Sequence, residues 1–424
     1  FLRKKILVYG LGKTGISSYK FLRKKAKVYL FDDDIKINLN IKQKLISLKE
    51  LYQIKFDIIV ISPGIDIHNC KLSNFLKKNY SKIYTDLDIF YAFYKNDCFT
   101  ITGTNGKSTT CKLLYDVLLN HNLNVKLVGN IGKPILNLKN VNEKTIFVIE
   151  ASSYQLEYSK IFRSKFAVIL NISPDHIERH KTINKYVKAK FKLINNQHKG
   201  NIAFVKKDDS LIMKMLKKNK FKSTIIKVDY KNLDSYVKQL GNNHFFTEAN
   251  KENLSFVLAI SKKLNLKKPL IDNAIENFKG LKYRQQVILK KKNLTIINDS
   301  KSTSFQSSIG LLKANSNIYW LLGGIFKKND KLNLSKKHYK KIKAFIFGKN
   351  RGFFNKELNG KIKFENFPNL EKALNRIIKL IKDDKNREKI ILFSPCAASF
   401  DSFKNFEERG FYFSRLIKKY HNEI

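Results

Sequence analysis

The chemistry available to this sequence is concentrated in two glycine-rich turns and a few carboxylate, imidazole and lysine side chains. Gly103-Thr104-Asn105-Gly106-Lys107-Ser108-Thr109 sits between an apolar run at 99–102 and a stretch carrying Leu113, Leu114, Val117 and Leu118 on one helical face. The glycines let backbone N–H groups turn toward phosphate oxygens. The helix N-terminus adds partial positive charge there, and Lys107 adds a full one. Ser108 or Thr109 can offer a hydroxyl to Mg²⁺. Ile101 and Thr102 stand where the first glycine of the full G-x-x-x-x-G-K-[ST] pattern would be. The Gly-Lys-Ser-Thr core between strand and helix still makes ATP the expected ligand. An earlier turn, Gly10-x-Gly12-x-x-Gly15, follows a strand and opens a helix, with Asp32 about 20 residues on, the spacing of a dinucleotide fingerprint. An oxidoreductase reading of that turn leaves the second loop at Gly103 unexplained.

Glu150 closes the apolar run 146–149, where a carboxylate facing a phosphate loop is well placed to hold Mg²⁺ through oxygen. After the run 166–170 comes Asn171-Ile172-Ser173-Pro174-Asp175-His176. His176 beyond a strand end, with Asp175 beside it, is expected to belong to a site rather than to the core.

The elements that position these residues alternate between strand and helix, which predicts α/β layering with mostly parallel sheets. Strands are expected at 6–9, 27–31, 57–61, 99–102, 146–149, 166–170, 202–205, 294–297, 319–322, 344–347 and 390–393. Gly10, Ser62, Gly103, Glu150, Asn171, Asp299, Gly323 and Ser394 are each expected directly after a strand, at the edge where α/β sheets bind ligands. Three domains follow: a Rossmann-like domain over 1–90, a central P-loop-type ATPase domain over 91–282, and a second Rossmann-like domain over 283–424.

Composition narrows the class. Of 424 residues, 83 are Lys or Arg against 35 Asp or Glu, giving a formal charge of +48. Only ten of the basic residues are Arg, and the lysines are spread along the whole chain. Specific nucleic-acid readers rely on clustered Arg forks, so solvated lysine surfaces are expected and a nucleic-acid partner is not. No run approaches the ~18 apolar residues of a membrane span, and the start lacks a signal-peptide cleavage pattern. Four scattered cysteines offer neither a disulfide framework nor a metal pair. A cytoplasmic monomer is expected.

In order and spacing, the phosphate loop, Gly129-Asn130-Ile131-Gly132, Glu150-Ala151-Ser152-Ser153-Tyr154-Gln155-Leu156-Glu157 and the His176 segment resemble the Mur ligase family. These are ATP-dependent enzymes that join an amino acid to a UDP-linked peptidoglycan precursor. The Gly10–Gly15 turn, Asn298-Asp299-Ser300-Lys301-Ser302-Thr303 and the long run Ser394–Gly410 are most similar to the members that add D-glutamate to UDP-N-acetylmuramoyl-L-alanine. Other Mur ligases and the folate–glutamate ligases share the central domain, and the C-terminal run is what discriminates.

That resemblance implies an acyl phosphate route. It places Lys107, Glu150, His176 and Lys190 in catalysis, with ATP on Gly103–Thr109, Asn250, Asn253, Arg284 and Asp299. Two Mg²⁺ are implied on Ser108, Glu150, His176 and Lys190, the last as a carbamate. The UDP-sugar would lie on Thr14, Asp32, Ser62, Gly64 and Asn130, and D-glutamate on Lys301, Thr303, Lys327, Ser399 and Phe406. Asp34, Ala249, Tyr283 and Ile325-Phe326 depart from the family pattern around the uracil, adenine and amino-acid pockets.

Overall fold

The computed structural model describes all residues except 35–44, 328–329, 383–387 and 424, with the side chain of Asn243 also left undescribed. Three sheets form in chain order. The first contains β1 (Lys5–Tyr9), β2 (Lys27–Phe31), β3 (Ile58–Ile61) and β4 (Ile83–Tyr84) in the order β2-β1-β3-β4, all parallel. The second contains β5 (Cys98–Thr102), β6 (Val125–Gly129), β7 (Ile146–Glu150), β8 (Phe166–Ile169), β9 (Ile202–Lys206) and β10 (Thr224–Val228). Its order is β10-β9-β8-β5-β7-β6, again parallel. The third contains β11 (Gln286–Lys291), β12 (Leu294–Asn298), β13 (Ile318–Leu322), β14 (Ile342–Phe347), β15 (Lys363–Phe367) and β16 (Lys389–Phe393), ordered β11-β12-β16-β13-β14-β15. Here β11 pairs antiparallel with β12 and the rest run parallel.

The central strands of each sheet are apolar on both faces because helices cover both sides. Ile6–Tyr9 of β1 and Phe147–Ile149 of β7 are fully buried. In the first and second sheets the chain reverses direction across the sheet beside β1 and beside β5, so a crevice opens at their carboxyl ends. The Gly10 turn follows β1 and the Gly103 loop follows β5. Leu113, Leu114, Val117 and Leu118 of the helix Lys107–Asn120 are buried.

Two compact units result, Phe1–Asn243 with Asn250–Phe278, and His244–Ala249 with Lys279–Ile424. Within the first unit, Asp88 joins the helix after the first sheet to the central part of the chain. Its Oδ1 accepts from Ser159 Oγ (3.0 Å) and from the backbone N–H groups of Lys160, Ile161 and Phe162 (2.9, 2.8 and 3.0 Å). Those bonds satisfy a fully buried carboxylate, which would otherwise be costly.

The expected strands form, with shifted ends and additions. Glu150 is the last residue of its strand rather than the first beyond it, Asn298 extends β12 by one residue so that Asp299 follows it directly, and Leu170 intervenes before Asn171. The short β4 and the strands β6, β10, β11 and β15 lie outside the expected set. The outer strands β10, β11 and β15 sit at sheet edges and are half-exposed, so their residues mix Lys and Glu with Ile and Phe and lack a continuous apolar run.

Candidate active site

The phosphate loop is held from below. Gly106 caps the helix Lys107–Asn120 at φ +82°, a conformation that favours glycine. A Cβ there would also lie 2.1 Å from Asn253 Oδ1, so the loop is pressed against that side chain. Asn253 accepts from Thr110 Oγ1 (3.2 Å) and donates to Asn250 Oδ1 (3.3 Å). The structure thus brings Asn250 and Asn253 to the base of the loop. On the other side Asn171 Oδ1 accepts from Asn105 N (2.9 Å), and Thr104 Oγ1 lies 3.2 Å from the Tyr186 hydroxyl. Thr109 is half-buried in the first helical turn.

Lys107 Nζ donates to Gly103 O and Thr104 O, both at 2.8 Å. Ser108 Oγ donates to Glu150 Oε2 at 2.6 Å, both residues being buried. A hydroxyl and a carboxylate oxygen side by side at the loop are hard donors of the kind Mg²⁺ takes, so these residues fit that ion.

Lys190 is 1 % exposed and donates from Nζ to Gly103 O at 2.8 Å, with the Tyr186 ring 4.5 Å from the nitrogen. Burial, then the nearby Lys107 ammonium, push its pKa well below the usual lysine value, opposed by Asp175 and Glu150. His176 stands at φ +55°, with Nε2 3.4 Å from Asp175 Oδ2 and Nδ1 3.5 Å from Glu178 Oε1. Next to it, His180 is buried and accepts or donates at Ser153 Oγ (3.0 Å), its pKa pushed down to about 4, chiefly by burial.

Asn171, expected at the ligand edge, and Asp175, expected beside His176, both fall at the loop, whereas Tyr186 has no functional mark in the sequence. Lys190 carried a signal that could have been read: Tyr186, Lys190 and Ile194 share one helical face with Val187 and Phe191, so a lysine interrupts an apolar stripe. Among the described residues no three His, Cys, Asp or Glu side chains cluster as a metal site by themselves.

At the first sheet, Gly15 packs directly under the turn, since a Cβ there would be 1.8 Å from Gly10 O. Ser62 Oγ donates to Gly10 O at 2.5 Å, and Asp32 Oδ2 accepts from Leu11 N at 2.5 Å. Asp32 is therefore bonded to an amide of the turn itself. Thr14 is half-buried in the first helical turn, whereas Gly64 and Asn130 are exposed. Asn130 N donates to Glu150 O at 3.0 Å, which ties it to the central sheet.

In the second unit, Asp299 is buried and accepts from Gln285 N (3.1 Å) and Ser394 Oγ (3.0 Å); burial pushes its pKa up to about 7. Lys301 Nζ sits 4.2 Å from the Phe406 ring centre and the Arg284 guanidinium 5.8 Å from the same ring. One aromatic face therefore gathers two cations. Thr303 and Lys327 are half-buried in neighbouring loops, and Ser399 is buried, its carbonyl accepting from Ser402 N and Phe403 N.

A Gly-Lys-Ser-Thr loop on a parallel sheet, preceded by a glycine-turn sheet and followed by a third α/β sheet, defines a multidomain α/β protein of the nucleotide-binding class. Family models match here: the Mur ligase middle domain over residues 101–272, and the MurD-like N-terminal domain of Mur ligases over 4–83. A Rickettsia felis protein named UDP-N-acetylmuramoylalanine–D-glutamate ligase is 34 % identical over 100 % of this chain and 98 % of its own length. A Rickettsia prowazekii protein of the same name is 35 % identical over 99 % of each chain. Among solved structures, the MurF ligase of Thermotoga maritima in complex with ADP shares the fold with a TM-score of 0.59 at 14 % identity, over 99 % of this chain and 96 % of its own. The chain belongs to the Mur ligase family.

Proposed function

We propose that this chain is the ATP-dependent ligase that joins D-glutamate to UDP-N-acetylmuramoyl-L-alanine in peptidoglycan precursor synthesis. The full-length similarity to relatives bearing that name supports the substrate pair, and the convergence of Lys107, Lys190, Ser108 and Glu150 on the phosphate loop supports the chemistry. Residues 1–90 take the UDP-sugar, 91–282 the nucleotide and 283–424 the amino acid.

The γ-phosphoryl of ATP passes to the carboxylate of UDP-N-acetylmuramoyl-L-alanine, giving an acyl phosphate and ADP. The D-glutamate amine then attacks the acyl carbon; the C–N bond forms, the C–O bond to phosphate breaks, and the amine proton leaves. Two anions must approach in line for the first step, so the site's work is charge neutralisation and alignment. Lys107 supplies a cation to the phosphates, and the loop amides with the helix N-terminus cradle them. Two Mg²⁺ would be held by Ser108 and Glu150 and by His176 and Lys190; when bound they neutralise phosphate charge.

Lys190 enters that set as a carbamate. Its depressed pKa favours the neutral amine, which is the form whose lone pair adds to the carbon of CO₂ with release of one proton. The product is a carboxylate-like oxygen ligand in place of a buried amine. Thr14, Asp32, Ser62, Gly64 and Asn130 hold the UDP-sugar. Lys301 and Lys327 pair with the two carboxylates of D-glutamate, helped by Thr303, Ser399 and Phe406. Asn250 and Asn253, at the base of the phosphate loop, add to the ATP contacts.

Phosphate release assayed with ATP, UDP-N-acetylmuramoyl-L-alanine and a panel of D- and L-amino acids tests this reading. Turnover with D-glutamate alone is expected; intact ATP in its presence, or equal turnover with an L-amino acid, overturns it.

A further inference from the structure

Arg409 lies in the helix Phe406–Lys419 and is 1 % exposed. Its Nη2 donates to Ser300 O (2.7 Å) and Ala397 O (2.9 Å), and its Nε donates to Ser300 Oγ (3.2 Å). These acceptors sit on two separate loops. One runs from Ser300 into Lys301 and Thr303; the other runs from Ala397 into Ser399. A third loop is stitched to the second by Ile325 N to Ala398 O (2.9 Å) and Ala398 N to Ile325 O (2.8 Å), and it leads to Lys327. That third loop also lies on the guanidinium, since a Cβ at Gly324 would be 3.1 Å from Nη1.

The fourth side of the group is the informative one. Among the described residues, Nη1 is buried and has no hydrogen-bond acceptor. Leaving a charged donor buried and unpaired is costly. A neutral side chain could satisfy two carbonyls and a hydroxyl without that penalty. Asp401 and Asp299 offset part of the charge, and what only an arginine supplies here is the planar fork that reaches acceptors on both loops at once.

We propose that Arg409 is the positioning residue of the amino-acid pocket, clamping three loops so that Lys301, Thr303, Lys327 and Ser399 are presented together to a dicarboxylate. The assignment rests on the D-glutamate reading above. Arg409 does not touch the substrate; it acts through the residues it aligns, and Ser300 shares that work by donating from Oγ to Phe406 O at 2.8 Å.

The test uses the full chain and measures KM for each of the three substrates, with thermal melts alongside. Arg409→Lys keeps a charge but loses the planar fork that reaches both carbonyls. It is expected to raise the KM for D-glutamate about 10-fold, a loss on the scale of a charged hydrogen bond, while the KM for ATP stays within about 2-fold. An unchanged D-glutamate KM, or equal rises for all three substrates, overturns the assignment. If Arg409→Lys does not fold, Ser300→Ala carries the test: a rise of about 3-fold or more in D-glutamate KM alone supports it, and no selective rise sinks it. Failure of the unmodified chain to use D-glutamate removes the activity reading and this assignment together, whereas an active chain with insensitive variants removes only the assignment.

Discussion

Lys107 and Lys190 donate to one acceptor: each Nζ lies 2.8 Å from the carbonyl oxygen of Gly103. Two ammonium groups sharing a carbonyl repel, and the buried one of the pair gives up its proton more readily. Lys107 is half-buried at the loop and Lys190 is 1 % exposed. The loop thus places a half-buried lysine beside a fully buried one whose proton is held less tightly. The two lysines have the same chemistry in isolation and different chemistry in place.

Stability should respond to Lys190 with a definite sign. Its folded pKa is depressed, so between that value and the unfolded value of ~10.4 the unfolded chain binds more protons, and stability rises with pH across this window. Lys190→Met removes that rise. It is also expected to raise the melting temperature at neutral pH, by the equivalent of about 1–2 kcal/mol, while lowering kcat by about 10³-fold. Melts from pH 7 to 10 with matched turnover assays check both. A stabilised, active variant would contradict the catalytic role.

Ser108→Ala leaves Glu150 Oε2 without the donor now 2.6 Å away and takes one oxygen from the site. The concentration of Mg²⁺ giving half-maximal rate should rise about 10-fold, with little change in the KM for D-glutamate. A magnesium titration at saturating substrates measures this.

Two of the three glycines of the first turn, Gly12 and Gly15, should separate folding from binding. Gly15→Ala drives a Cβ to 1.8 Å from Gly10 O, so the turn must open; about 2 kcal/mol of stability and most UDP-sugar affinity should be lost. Gly12→Ala meets no atom within 4 Å, so it should fold normally. It is expected to raise the KM for the UDP-sugar only, because the added methyl blocks the backbone's approach to diphosphate. Melting curves and KM values for the pair test the contrast.

Asp299 carries a pH signature of the opposite sense. Its carboxyl is raised to about 7 from an unfolded value of ~3.9, so the native state holds the extra proton between these values. The stabilisation is complete below pH ~4 and disappears as pH climbs through about 7, with a slope of at most ~1.4 kcal/mol per pH unit. Asp299→Asn keeps an oxygen for Gln285 N and offers Nδ2 to Ser394 Oγ. Its stability should be flatter over pH 5–8 by that contribution, read by denaturant midpoints.

Lys301→Ala should raise the KM for D-glutamate by about 30-fold and the KM for ATP much less, since a charge pair to a carboxylate is removed. Phe406→Leu removes only the aromatic face 4.2 Å from Lys301 Nζ and should cost about 3-fold. Equal effects on both substrates would contradict the placement of either residue.

Local sequence was enough for the parts whose physics is local. Glycines at Gly10, Gly15, Gly103 and Gly106, a Gly-Lys-Ser-Thr run and apolar stretches of four or five residues mark turns, a phosphate cradle and central strands, because backbone freedom and hydrophobic runs are properties of neighbours in the chain. Edge strands such as β10 and β15 lacked that mark, since a half-exposed strand carries polar residues on its open side.

What the tertiary structure alone decided concerns charge. Lys190 is one of 73 lysines, and only packing beneath Gly103 turns it from a surface cation into a buried amine. Asp299 and Arg409 are likewise ordinary in sequence, and their altered proton affinities and partners come from loops and strands far apart in the chain. The reason is physical: a side chain's residue type is fixed by its own position, but the cost of its charge depends on which groups surround it and whether water reaches it.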